Sequence, residues 1–225
     1  MGFRCFILVF AGLCLSVNAF AKKKKNPVEV GSIEQSIEQT HIPSFDAVFV
    51  EASQLTKTTQ DVSLQYETIL VNLTGELQEP VDSQLSKIIS SFYKRSSQFL
   101  LPPEGEPILL YKVKPEAPEK VKRQAKAIQV AFAEYQALIS QTTLLTEQLS
   151  TIVEKAMPLR SQIPIEEKSL VEQGLGGLKK ASKLKRKFEN NIFVLQHLIK
   201  QVAFVQSRSL NASTAISKTF KKFKK

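Results

Sequence analysis

One stretch near the end of the chain is apolar on almost every side when it is placed on a helix. In the range 192–205, ten of fourteen residues are apolar, and Gln196, Lys200 and Gln201 form a narrow polar strip. A helix with so little polar surface must be surrounded by protein or enter a membrane. Fourteen helical residues span about 21 Å, which is shorter than the roughly 30 Å core of a bilayer. The segment 188–205 is therefore predicted to be a central helix around which the other helices pack.

Two other segments carry apolar residues at alternating spacings of three and four, the pattern of a coiled-coil seam. The first seam consists of Val48, Ala52, Leu55, Thr59, Val62, Tyr66, Ile69 and Leu73. The second seam consists of Val121, Ala125, Ile128, Phe132, Tyr135, Ile139, Thr142, Leu145, Leu149, Ile152 and Ala156. The seams predict helices over 44–78 and 121–156, about 52 and 54 Å long. The predicted fold class is therefore all-α, an elongated helical bundle with coiled-coil-like long helices.

Shorter helices are predicted around these two. A capping box and two stacked isoleucines predict a short amphipathic helix over 32–40 that ends before Pro43. Pro80 fits the first turn of a second helix. The apolar face of that helix consists of Val81, Leu85, Ile88, Ile89, Phe92 and Phe99. A further short helix is predicted over 166–173.

Two segments are predicted to interrupt the helices. Residues 102–118 contain five prolines and are predicted to form a Pro-rich connector, or crossover loop, across the bundle. Within it, 108–114 favours an extended strand, which is either packed flat over the bundle or free to pair with another chain. Gly174, Gly176 and Gly177 disfavour a continuous helix and are predicted to form a hinge.

The beginning of the chain has the three regions of a secretory signal peptide. Arg4 is followed by an apolar run over 5–15 and by a small-x-small cleavage site. We expect cleavage before Lys22, because the run is too short to favour the alternative of a membrane anchor. The predicted domains are a signal peptide over 1–21, a basic leader with a short helix over 22–43, and a helical bundle over 44–225.

The composition limits the chemistry that the mature chain can perform. Cys5 and Cys14 both lie in the signal segment, which leaves no thiol for catalysis, metal binding or disulfides. An exported chain without disulfides favours a bacterial envelope protein, periplasmic or secreted. His41 and His197 belong to no ligand pair, and the carboxylates are dispersed over helical faces. We therefore predict no metal, no cofactor, no catalytic residue and no enzymatic activity.

Positive charge is concentrated in the last quarter of the chain. The range 174–225 contains thirteen Lys and Arg residues and one acidic residue, whereas 22–173 contains 17 basic and 20 acidic residues. Such an asymmetry indicates an anionic partner. In 209–225 the apolar residues share one side and the lysines the other, which predicts a basic amphipathic helix. The candidate contact residues are Lys183, Lys185, Arg186, Lys187, Lys218, Phe220, Lys221, Lys222, Phe223, Lys224 and Lys225.

These patterns lead to two hypotheses for function. The first is an exported, non-enzymatic helical binding or scaffolding protein. It would use coiled-coil-type surfaces and its basic C-terminal region to contact an acidic protein or an anionic lipid. The alternative is a membrane-active protein that opens at the glycine hinge and inserts its apolar C-terminal helix. Nucleic acid is disfavoured as a partner because stacking aromatics are scarce in the basic blocks. A homo-oligomer formed through the helical seams is also compatible with the pattern.

Overall fold

The computed structural model describes most of the chain. The described residues are 36–81, 84–101 and 112–222, with side chains as far as Lys218. The chain divides into two units, Met1–Ile33 and Glu34–Lys225, and all described residues belong to the second. The predicted signal peptide and most of the basic leader therefore lie outside the described residues. The second unit is an all-α helical bundle, which confirms the predicted fold class.

Five α-helices make up most of the described residues. They are α1 (Pro43–Leu77), α2 (Leu85–Ser96), α3 (Glu119–Ala156), α4 (Ile163–Glu172) and α5 (Leu175–Lys222). The shorter elements are two 3₁₀ segments, Ser97–Phe99 and Met157–Gln162, and two strands, β1 (Leu100–Leu101) and β2 (Lys112–Val113). At 1.5 Å per residue, α1, α3 and α5 are about 52, 57 and 72 Å long. The two predicted long helices are therefore accompanied by a third that is longer than either.

The two predicted seams are confirmed as the faces on which α1 and α3 pack. Every seam residue of both helices is buried or half-buried. The two helices run antiparallel, because Glu76 pairs with Arg123 at one end (2.9 Å) and Glu51 with Lys155 at the other (3.8 Å). Thr59, the polar residue in the first seam, is buried and donates its hydroxyl hydrogen to the carbonyl one turn earlier. Its polar group is thereby satisfied inside the core.

Helix α5 contacts all four other helices, as the apolar stretch near its middle predicts. It runs antiparallel to α3. Gln206 Nε2 donates to Thr143 Oγ1 (2.7 Å), while Arg160, just after α3, pairs with Glu189 (2.6 Å). The buried residues of the range 192–205 are Ile192, Val194, Leu195, Leu198, Val202 and Val205. This side of α5 forms part of one continuous hydrophobic cluster with α1 to α4.

Phe193 is the exception within that stretch, since its side chain is 54% exposed. It lies three and seven residues before Gln196 and Lys200, both also exposed, so the three residues share one helical face. The polar strip predicted from the sequence is therefore real but wider than the polar residues alone indicated.

An aromatic cluster joins α1 to α5. Phe188 is fully buried, and its ring meets the rings of Phe45 and Phe49 edge-on, with centroids 5.4 and 5.5 Å apart. Edge-to-face pairs of this kind add to the hydrophobic stabilisation of the buried area. The cluster fixes the N-terminal part of α1 beside the N-terminal half of α5.

The predicted helix over 32–40 is wrong for the part that the structure describes. Residues 36–42 contain no helix and form a strap along α5. Buried Asn191 holds the strap, because its Oδ1 accepts from the Glu38 N–H (2.8 Å) and its Nδ2 donates to the Glu38 carbonyl (2.9 Å). Asp46 accepts hydrogen bonds from two further N–H groups of the strap. Since these side chains satisfy backbone groups of the segment, it does not need helical hydrogen bonds there.

The link between α1 and α2 also differs from the sequence prediction. Gln78 adopts a left-handed conformation (φ 58°), and its N–H bonds back to the carbonyl of Gly75, which ends α1. Pro80 lies in the non-helical segment that follows, and α2 begins at Leu85. The prediction that Pro80 opens the second helix was therefore wrong.

The strand predicted in the Pro-rich segment has its partner within this chain. Strand β2 pairs antiparallel with β1, with Leu100 opposite Val113 and Leu101 opposite Lys112. The Lys114 N–H extends the pairing by donating to the Phe99 carbonyl (2.9 Å). The predicted crossover between the strands, residues 102–111, lies outside the described residues.

The break at the glycines is narrower than predicted. Gly174 forms the turn between α4 and α5 with a positive φ of 87°, while Gly176 and Gly177 lie in the first turn of α5. Gly177 packs so closely on α4 that a Cβ there would lie 1.7 Å from the Leu170 carbonyl oxygen. Gly177 thus serves the packing of α4 on α5, and a hinge motion at this turn stays a prediction.

Candidate functional site

A groove between α2 and the C-terminal part of α5 collects positive charge. Its volume is about 650 Å³. The lining residues, which define the α2–α5 groove, are Ser86, Lys87, Ser90, Ser91, Lys94, Arg95, Ala215 and Lys218. Four of these eight residues are cationic, three carry a hydroxyl group and none is acidic. The groove is thus built from groups that donate hydrogen bonds and attract anions.

The amphipathic pattern of α2 places its cations in this groove. Ile88, Ile89 and Phe92 are buried in the bundle core, and Lys87 and Lys94, two turns apart, lie on the other side of the helix. Burial of the apolar face therefore determines which side of α2 is available to a partner.

Three of the four cations in the groove are available to a partner. Arg95 forms an ion pair with Glu79 (3.6 Å). Lys87, Lys94 and Lys218 form no ion pair within the described part of the chain. Their ammonium groups repel one another, and an anionic group placed between them would relieve that repulsion.

Over its described residues, 209–222, the predicted basic amphipathic helix is the end of α5, not a separate element. Ala212 and Ile216, on its apolar side, are buried in the bundle, and Gln136 of α3 donates a hydrogen bond to Ser213. The apolar side at these positions is therefore already covered by protein. Of the contact residues predicted here, Lys218 lies in the groove. The side chains outside the described set are Phe220, Lys221, Lys222, Phe223, Lys224 and Lys225.

The second predicted basic block lies beside the strap. A smaller pocket of about 370 Å³, the strap pocket, is lined by Glu38, His41, Lys179, Lys180, Lys183, Arg186 and Lys187. Lys187 Nζ donates to the Gln39 carbonyl (2.6 Å) and lies 3.4 Å from His41 Nε2. Arg186 pairs with Glu38 (3.6 Å). Two of the predicted contact residues therefore hold the strap, while Lys183 lines the pocket and Lys185 is exposed outside it.

The structure does not bring the two predicted basic blocks together. Lys187 and Lys218 are on the same helix and 31 residues apart, which corresponds to roughly 46 Å along its axis. A single partner that contacts both blocks would have to extend along most of α5. We therefore treat the α2–α5 groove and the strap pocket as separate surfaces.

The contribution of α2 to the groove is not evident from the overall charge distribution of the chain. Lys87, Lys94 and Arg95 belong to a segment with a balanced overall charge, so they did not stand out against the lysine-rich end of the chain. The signal was the polar face of α2 itself, which carries cations at a spacing of seven and no acidic residue. Considering each helical face separately would have found it.

The most perturbed titratable group lies in the core. Burial, with smaller effects from Tyr66 and Glu134, raises the pKa of Tyr135 well above its usual value. Its hydroxyl oxygen has no hydrogen-bond partner among the described residues. Tyr135 belongs to the α3 seam and packs against Tyr66 (ring centroids 5.9 Å), so its raised pKa reflects the neutral environment of the core.

Neither a metal centre nor a membrane span is found among the described residues. Over the described ranges, no three His, Asp or Glu side chains are grouped so that they could hold a metal ion. Among the helices of those ranges, none combines the length and apolar character needed to cross a membrane. Comparison with protein families, with curated proteins and with solved structures gave no match.

Proposed function

We propose that this chain is an exported, non-enzymatic binding or scaffolding protein that holds an acidic protein segment in the α2–α5 groove. The observation that carries the proposal is the lining of that groove, whose described residues include four cations, three serines and no acidic residue. Carboxylates form charge-assisted hydrogen bonds with ammonium groups, and serine hydroxyls add neutral donors. An acidic peptide or helix offers several carboxylates at spacings that such a groove can meet.

The covered apolar side of α5 favours a protein segment over a lipid surface as the partner of this site. The groove lies between two helices, α2 and α5. A basic amphipathic helix binds a bilayer by burying its apolar side in the lipid. In the last part of α5, Ala212 and Ile216 on that side are already buried against the bundle. At these two positions, lipid binding would therefore depend on charge alone.

The buried helical seams hold the bundle together, as a scaffolding role requires. The seams of α1 and α3 are buried or half-buried within the chain, where they pack on each other and on α5. A homo-oligomer formed through these same seams would have to open the bundle. We propose that the seams provide rigidity and that the surface of α2 and α5 provides the contact.

Export is part of the proposal and is supported by the sequence. The pattern of Arg4, the apolar run over 5–15 and the small residues before Lys22 is that of a cleaved signal peptide. N-terminal sequencing of the protein recovered from an envelope or secreted fraction is expected to start at Lys22. A chain that still begins at Met1 would contradict the proposal of export, but it would not affect the proposal that the α2–α5 groove binds an acidic segment.

Charge reversal in the groove tests the binding proposal. The double variant Lys87→Glu/Lys218→Glu changes the four cations of the lining to two cations and two acids. It is expected to weaken binding of poly-L-glutamate to the full chain by about tenfold at low salt, because two attractive contacts become repulsive. Fluorescence anisotropy of a labelled poly-L-glutamate measures the change.

The matched control is Lys57→Glu/Lys200→Glu, which makes the same change in net charge at exposed positions of α1 and α5 outside the groove. It is expected to weaken binding by less than about twofold, since exposed charges act weakly at a distance. Equal losses in both double variants would show that net charge decides binding, and the groove proposal would then be wrong.

The alternative function, insertion of the apolar part of α5 into a membrane, stays a prediction. It requires that residues such as Leu195 and Leu198, both buried, leave the core. It also requires separation of α4 from α5, where Gly177 is packed against Leu170. No specific observation in the described residues favours this opening.

A further inference from the structure

The turn between α4 and α5 exposes large aliphatic side chains that the bundle does not use. Leu175, the first residue of α5, is 89% exposed, and Leu178 and Val171 are about half exposed. Leu175 and Leu178 are one helical turn apart, whereas the core-facing positions of the same turns are Gly177 and Ala181. We call Val171, Leu175 and Leu178 the apolar tip.

The apolar tip lies at the turn between α4 and α5, on the hairpin that these two helices form. Helix α4 packs mainly against α5 and the preceding 3₁₀ segment. Arg160, which follows α3, pairs with Glu189 of α5. Leu175 lies fourteen residues before Glu189, or about 21 Å further along the helix. The tip is therefore well separated along α5 from this contact.

Cations surround the apolar tip. Lys179, Lys180 and Lys183 follow it directly; all three are exposed and form no ion pair within the described residues. Lys168 is exposed on α4. Over the whole range 163–187 there are seven Lys or Arg residues and three Glu residues. The acidic residues of the hairpin are Glu172, which is exposed, and Glu166 and Glu167, which are half-buried. Glu38 of the strap lines the strap pocket together with Lys179, Lys180 and Lys183. The hairpin therefore has an apolar end and a net positive flank.

We propose that this hairpin is a second binding site, at which the apolar tip enters the surface of an anionic bilayer while the flanking lysines contact lipid headgroups. Exposed leucines gain free energy when they leave water for the acyl boundary. Each lysine near an anionic surface adds a further favourable contribution. The site does not require the bundle to open, and it is independent of the α2–α5 groove. The protein would thus hold an acidic partner at one end of α5 and a membrane at the other.

Two variants of the full chain test the proposal by co-sedimentation with vesicles. Vesicles of equal parts phosphatidylglycerol and phosphatidylcholine are expected to bind the unchanged protein, and pure phosphatidylcholine vesicles to bind it at least tenfold more weakly. Leu175→Ser/Leu178→Ser is expected to weaken binding to the anionic vesicles by about tenfold or more. Lys179→Glu/Lys180→Glu is expected to weaken it by a similar factor. All four positions are exposed, so both variants are expected to retain the helical circular dichroism of the unchanged protein.

The control for the leucines is Leu64→Ser/Leu144→Ser, which removes two leucines that are 64% and 62% exposed on α1 and α3. It is expected to bind the anionic vesicles as the unchanged protein does. The groove variant Lys87→Glu/Lys218→Glu is also expected to retain vesicle binding, so failure of the tip proposal can be told apart from failure of the groove proposal.

Three results would overturn the tip proposal. The first is that the unchanged protein does not bind the anionic vesicles. The second is that Leu175→Ser/Leu178→Ser binds them as tightly as the unchanged protein. The third is that light scattering shows a dimer which this variant abolishes, because the tip would then join two copies of the chain instead of entering a bilayer.

Discussion

Replacing Phe188 with alanine is expected to destabilise the folded protein by about 3–5 kcal/mol, the usual cost of removing a buried phenylalanine ring. Phe188 is fully buried and makes edge-to-face contacts with Phe45 and Phe49. The cavity would lie between α1 and α5, near the strap that Asn191 holds. For a domain of this size the melting temperature is expected to fall by about 10 °C.

Phe193→Ala provides the matched control for Phe188→Ala. It removes the same ring from the same helix, five residues further on, but from a side chain that is 54% exposed. Its effect on the free energy of unfolding is expected to stay within about 0.5–1 kcal/mol. Thermal unfolding followed by circular dichroism measures both variants. Equal effects would mean that α5 is not anchored in the bundle through Phe188.

Replacing Gly177 with alanine is expected to separate α4 from α5. The added Cβ would lie 1.7 Å from the carbonyl oxygen of Leu170 and 2.8 Å from its carbonyl carbon. Because these are backbone atoms, no side-chain rotation relieves the overlap, and α4 must move. We expect a loss of about 2–3 kcal/mol, as for other overpacked positions, and faster amide exchange in α4.

Gly176→Ala is the control, and its effect is expected to have the opposite sign. A Cβ at Gly176 meets nothing within 4 Å, and this residue already lies in α5. Alanine there is expected to stabilise the protein by up to about 1 kcal/mol, because glycine is a poor helix former. If both variants unfold at the same temperature as the unchanged protein, the glycines form a loose hinge. The inference that α4 packs tightly on α5 at Gly177 would then be wrong.

The long-range pattern of the fold could be predicted because it depends on repeated spacing. The seams of α1 and α3 and the apolar stretch of α5 extend over many turns, so individual exceptions such as Thr59 or Phe193 do not change the pattern. The all-α class and the central place of α5 follow from that repetition. The paired strands were predicted less completely, since periodicity in 108–114 indicates a strand but does not identify its partner.

Local details depended on tertiary contacts that the sequence does not display. The helix expected over 32–40 is replaced in its described part by a strap, because Asn191, some 150 residues away in sequence, bonds both backbone groups of Glu38. The start of α2 was misplaced because Gln78, a residue without a strong turn preference, adopts the left-handed conformation.

The candidate site, like the fold, could be predicted from the sequence only in part. The lysine-rich end of α5 is visible in the composition of the chain, and Lys218 lies in the groove as one of its cations. The contribution of α2 depends on which face of that helix packs on α5, which a charge count does not reveal. The apolar tip was hidden for a related reason, since Leu175 lies within the predicted hinge and only the fold shows that it and Leu178 are uncovered.

The central claim is that the apolar face of α5 stays inside the bundle while the two ends of the helix make the outside contacts. Hydrogen–deuterium exchange of the full chain, with and without vesicles containing phosphatidylglycerol, tests it most directly. We predict that the amides of 192–205 are among the slowest to exchange and keep their protection when vesicles are added, while protection increases near Leu175 and Leu178. Loss of protection over 192–205 on addition of vesicles would contradict the account, because it would show that the bundle opens and releases its central helix.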